Sequence, residues 1–101
     1  MEHKHTSLLC RDLSGASRLF HYFLVVDLEG SGPIRCENYG VRISEEGGAT
    51  AFLAGITTDP FAIEKLMALL VDSQVGPLGL EAVVEDWLAA EKDRTGFSVR
   101  S

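Results

Sequence analysis

The sequence predicts an α+β domain: a three-stranded antiparallel meander over residues 19–57, with a short fourth strand at the N-terminus as an open option, followed by two amphipathic helices packed on one face of the sheet. Hydrophobic residues alternate with a period of two from Leu19 to Thr57 and switch to a helical period from Phe61 onward. The links between the three strand segments are too short for the crossover that parallel neighbours require, so the strands run antiparallel. Residues 19–95 then form the single domain, 96–101 a C-terminal tail, and 1–18 an N-terminal segment that is either a short strand through "SLLCRDL" or loosely attached.

The first strand of the meander, "LFHYFLVVDL" (Leu19 to Leu28), is rich in aromatic and β-branched residues and lies between "SGAS" and "EGSGP". Phe20, Tyr22, Leu24, Val26 and Leu28 share one face; Leu19, His21, Phe23, Val25 and Asp27 share the other. Neither set is wholly polar. The second strand, "IRCENYGVRIS" (Ile34 to Ser44), alternates cleanly, and Gly40 at its centre reads as a packing concession in preference to a bulge or a close backbone approach. "EEGG" makes a hairpin turn into the third strand, "ATAFLAGITT".

Asp59 followed by Pro60 is a helix start, because proline holds its predecessor out of helical angles and fits the first helical position. Ile63, Leu66, Met67 and Leu70 form the apolar stripe of the first helix, which Gly76 and Pro77 terminate. In the second helix Leu80, Val83, Val84, Trp87 and Leu88 fall on one stripe, which turns Trp87 toward the core. Glu81, Glu85 and Asp86 lie off it near the helix start, and Lys92 and Arg94 lie in the last turn before Gly96, the order the helix dipole favours. Asp59, Pro60, Pro77, Leu80, Val84 and Trp87 are thus the structural residues of the helical layer.

The stretches "GITTDPFAIEKLMALL" and "VGPLGLEAVVEDWL" carry a resemblance. Tyr39 and Gly40, Thr57 to Asp59, Val75, Pro77, Leu80 and Val83 to Leu88 match the pattern of a small, uncharacterised bacterial family of about this length, a domain of unknown function seen mainly in Firmicutes. The chain resembles that family from roughly Tyr22 to Leu88, two-thirds of its length. It departs where Gly79 replaces a histidine and Trp87 a phenylalanine, so any histidine chemistry at that helix entrance is closed to this member. The resemblance implies a fold and no activity.

Apolar residues make up 46% of the chain and charged residues 24%, the balance of a folded domain. A formal net charge of −6 repels nucleic acid and anionic membranes, so neither is expected as a partner. "YFLVV" and "LMALLV" are too short to span a bilayer, and the N-terminus lacks the apolar core of a secretory signal; the expected location is the cytoplasm. Cys10 and Cys36 lack metal-ligand or redox spacing.

No catalytic, cofactor-binding or metal-ligating set emerges. Glu81, Glu85 and Asp86 could serve as paired carboxylates only if buried, and a solvated helix face accounts for them. His3 and His5 lie near the terminus and His21 lies mid-strand beside apolar residues, so no nucleophile and base are placed together. The expected function is therefore a non-catalytic protein-interaction module; the alternative is a small-molecule-binding regulator or minor enzyme with a site between sheet and helices. Two helices cover one sheet face, leaving either Leu19, Phe23 and Val25 or the opposite set on the other. The first three are the candidate interface of a homodimer, with another protein partner left open; the rival cover is residues 1–18 folded back through Leu8, Leu9 and Leu13. Replacing Glu85 and Asp86 by glutamine and asparagine should change stability by less than about 1 kcal/mol on urea titration. A larger loss would reveal a buried carboxylate network.

Overall fold

The computed structural model describes residues 1–11, 14–31 and 34–95. Leu13, Gly96 and the 96–101 tail lie outside the described residues, as do the side chains of Lys92 and Arg94. Strands β1 (Glu2–Arg11), β2 (Ser17–Ser31), β3 (Ile34–Glu45) and β4 (Thr50–Thr57) form one antiparallel sheet in the order β1-β2-β3-β4. Helix α1 (Pro60–Asp72), a 3₁₀ turn (Pro77–Gly79) and helix α2 (Leu80–Thr95) complete the α+β architecture. The smallest dimension is 18 Å, as befits one sheet and one layer of helices.

The fourth strand is present and longer than the short segment expected through Ser7 to Leu13. β1 starts at Glu2 because the 15-residue β2 offers a partner along its whole length, from Arg11 opposite Ser17 to Glu2 opposite Val25. Leu8 and Cys10 then turn toward the helices, where Cys10 is buried. The N-terminal segment lies beside the sheet rather than folded over its face.

The alternating residues of β2 sort as the sequence predicts. Phe20, Tyr22, Leu24 and Val26 join Tyr39, Val41 and Ile43 of β3 in a core against Ile63, Leu66, Met67 and Leu70 of α1 and Leu80 and Val84 of α2. Trp87 is half-buried at the rim of that core and Leu88 is 41% exposed, so the apolar stripe of α2 is shorter than its sequence periodicity. A 16-residue helix is about 24 Å long, and Leu88, Ala89 and Ala90 are already exposed beyond the core.

Gly40 is a close approach rather than a packing concession. From Tyr39 to Val41 β3 advances two residues while its partners in β4 run from Thr57 to Leu53, so β4 bulges over Gly40. A Cβ there would lie 2.3 Å from the Leu53 carbonyl oxygen, which leaves room for glycine alone.

Asp59 caps α1: its Oδ1 accepts the Phe61 N–H at 2.9 Å, its carbonyl accepts the Ile63 N–H, and Pro60 occupies the first turn. The helix ends before Gly76, with Gln74 in the left-handed region at φ 55°. The Gln74 N–H donates to Val71 and the Val75 N–H to Leu70, a double closure that satisfies two terminal carbonyls and packs Val75 against the core. The Val75 carbonyl then accepts the buried Tyr22 hydroxyl at 2.8 Å. Phe20, edge-on to Tyr22 with centroids 6.5 Å apart, fills the space beside Gly76, where a Cβ would meet its ring at 2.8 Å. Pro77, buried, turns the chain into α2.

Two predictions rest on this joint. Tyr22→Phe strands the Val75 carbonyl and should cost about 1–3 kcal/mol in urea unfolding. Burial, with Cys10 a lesser contributor, pushes the Tyr22 phenol up to about 12, whereas it ionises near 10.0 when free. The unfolded chain therefore releases this proton first, and that share of stability, complete below pH 10, falls away as pH rises toward 12. The stability gap between wild type and Tyr22→Phe should narrow over that range, and a constant gap would contradict the assignment. Gln74→Gly relieves the left-handed backbone and should raise stability by up to about 1 kcal/mol in the same titration.

Candidate interaction surface

With both helices on the Tyr22 side, the opposite face of the sheet has no covering layer among the described residues. Its composition follows from the register. Lys4, Phe23, Arg42 and Phe52 stand in one row across the four strands, Glu2, Val25 and Gly40 in the next, Ser7, His21, Ser44 and Thr50 in another, and Leu9 beside Leu19 beyond that.

Arg42 organises the middle of this face. Its guanidinium carbon lies 4.1 Å from the Phe23 ring centroid, and its Nε and Nη2 donate to the two Glu2 carboxylate oxygens at 2.6 and 2.7 Å. The ion pair reaches from β3 to β1 over β2. Phe23 is thereby half-buried and Val25, opposite Glu2, is only 8% exposed. Hydrogen bonds from Arg42 hold the Glu2 carboxyl below its ordinary range, so the tie is intact at neutral pH and loosens as pH falls through that lowered value.

The candidate interface residues Leu19, Phe23 and Val25 therefore do share the uncovered face, but not as one continuous patch. Leu19 is half-buried, Phe23 is roofed by Arg42, and Val25 is buried. Among the described residues, the large apolar side chains most exposed on this face are Leu9 at 65% and Phe52 at 50%, one on each outer strand. Both were hidden from sequence reasoning: the length of β1 and the pairing of β4 decide which way they point.

A second constellation was equally invisible from spacing. His21 Nδ1 lies 2.8 Å from Ser7 Oγ and His21 Nε2 lies 2.8 Å from Glu46 Oε1, bringing a hydroxyl, an imidazole and a carboxylate into line. A neutral ring with its proton on Nε2 satisfies both contacts, accepting from serine and donating to glutamate. Hydrolysis would also need a bound substrate and oxyanion donors, and the group lies on the open face of the sheet. Its evident effect is to tie β1, β2 and the β3–β4 turn together.

One cavity, of about 20 Å³, lies between sheet and α1 and is lined by His5, Leu24, Ile63, Glu64 and Met67. A groove of about 380 Å³ lies at the base of the β2–β3 hairpin, bounded by Met1, His3, Val26, Asp27, Leu28 and Glu37. Beside it the Tyr39 hydroxyl donates to Glu37, which raises the phenol above its ordinary range. Among the described residues no three His, Cys, Asp or Glu side chains converge as a metal site, and no helix is long and apolar enough to cross a membrane. Cys10 is buried, which raises its thiol, and Cys36 is exposed. Glu81, Glu85 and Asp86 are exposed on α2. Asp59, Pro60, Pro77, Leu80, Val84 and Trp87 all lie in the helical layer, away from the open face.

No curated protein and no solved structure matches the chain. The match that is found covers nearly the whole fold, from the second half of β1 through the core-facing part of α2: the chain belongs to DUF6514, a family of unknown function, whose model matches residues 6–90.

Proposed function

We propose that this chain is a non-catalytic protein-interaction module of the bacterial cytoplasm that works as a homodimer through the side of the sheet the helices leave bare. The observation that carries this reading is the one-sided layering. α1 and α2 both pack on the Tyr22 face, while Leu9 and Phe52 stay exposed on the other beside half-buried Leu19 and Phe23. A two-fold contact presents such a surface twice and needs no second kind of partner. The resemblance of the sequence to a bacterial family supports the setting.

The alternative, a small-molecule site between sheet and helices, has less behind it. The cavity at that junction, about 20 Å³, holds little more than one water molecule. The larger groove lies at the foot of the hairpin and not between the layers. Light scattering coupled to size exclusion tests the reading directly. At micromolar concentration the eluting mass should be that of two chains, and a one-chain mass that persists on concentrating the sample would overturn it.

A further inference from the structure

A sheet four strands wide ends in two edges, and each edge strand carries backbone N–H and C=O groups that face no further strand among the described residues. The β4 edge is guarded. It bulges opposite Gly40, with Gly55 in the left-handed region at φ 64°, which breaks a regular ladder. The first half of β1 is guarded as well, by the register shift between Lys4 and Thr6 and by the Lys4 charge. The second half is not: Thr6 to Arg11 pairs with β2 without interruption and carries no proline, no glycine and no charge before Arg11.

The direction of the free groups follows from the ladder. The Leu19 carbonyl accepts the Glu46 N–H at 2.8 Å on the β3 side, so Leu19 and Leu9 form a pair that exchanges no hydrogen bond. The N–H and C=O of Leu9 therefore point away from β2, and by alternation so do those of Ser7 and Arg11. The same parity holds at the other end, where Met1 and Val26 exchange hydrogen bonds.

Charge selects what can meet this edge. The chain carries a net −6, yet β1 holds only one of its 15 acidic residues, Glu2, which is bound to Arg42 of its own chain, beside Lys4 and Arg11. From Thr6 to Cys10 the edge carries no charged side chain, so two copies can meet there without bringing like charges face to face. We propose that Ser7–Arg11 of one copy pairs antiparallel with Ser7–Arg11 of a second, Leu9 opposite Leu9 and Ser7 opposite Arg11, joining two four-stranded sheets into one. The proposal rests on the homodimer reading and narrows its contact to the β1 margin of the open face, where Leu9 and Leu19 lie. Ser7, Leu9 and Arg11 exchange the new hydrogen bonds, and Leu9 and Leu19 of both copies gather on the same side of the joined sheet.

Sedimentation equilibrium on the full chain, with hydrogen exchange at single-residue resolution, tests this. Leu9→Pro removes only an outward N–H, which an edge strand tolerates, and Leu9→Lys changes a side chain that is already exposed. Each should raise the dimer Kd by about tenfold or more, whereas Phe52→Lys on the far edge should leave it unchanged. The Leu9 amide of the wild type should become slower to exchange as concentration rises. A dimer that withstands Leu9→Lys but is lost with Phe52→Lys, or whose Leu9 amide exchanges freely, overturns edge pairing and leaves the homodimer standing through the open face. A wild-type mass of one chain at all concentrations overturns both.

Discussion

The two layers of this domain are held in register by one buried contact, the Tyr22 hydroxyl on the Val75 carbonyl. β2 alone could pack against α1 in several offsets, because apolar surfaces attract without direction. A hydrogen bond in a site excluded from water tolerates no such freedom, since a slip leaves two polar groups unpaired. The loop can offer that carbonyl because α1 has already closed: the two backbone bonds at Gln74 and Val75 consume the last carbonyls of the helix and bring Val75 down onto the sheet. Gly76 then admits the Phe20 ring, and Pro77 starts the turn that launches α2. Strand, helix end, glycine and second helix are successive consequences of one docking point.

Placing every helix on the Tyr22 side leaves the other face to be managed by side chains alone. Arg42 does most of this, laying its guanidinium over Phe23 while Glu2 fixes its far end. His21, held between Ser7 and Glu46, does the same one row away. Both networks also bind β1 to the centre of the sheet. An N-terminal stretch with little apolar content, "EHKH", can therefore hold a place in the ladder that its propensity would not predict.

Period and punctuation made much of this legible. The switch from a period of two to a helical one located the strands and helices, Asp59 and Pro60 marked the start of α1, and the two faces of β2 separated as read. Contacts that depend on distant segments were not legible. Gly40 raises a bulge or close approach as an option but cannot decide for it, because the bulge is written in Ala54 to Ile56, more than a dozen residues away. Gln74 gives no sign of a left-handed turn, since that position favours glycine and the pair at Gly76 and Pro77 drew the boundary instead. The surface features were the least legible of all: Arg42 finds Glu2 and His21 finds Glu46 only once the sheet register is set.

These polar covers differ in kind from the core they face. An ion pair in contact with water contributes little, because its attraction is screened and its long side chains lose freedom in making it. The pair of Glu2 and Arg42 keeps side-chain exposures of 39% and 29%, far from the fully buried core opposite. The two parallel hydrogen bonds of this pair and its stack on Phe23 add to what a simple exposed ion pair contributes. The open face is thus held by directional contacts at its surface and the opposite face by apolar burial, so a change on the first leaves Tyr22 and the helices behind it undisturbed.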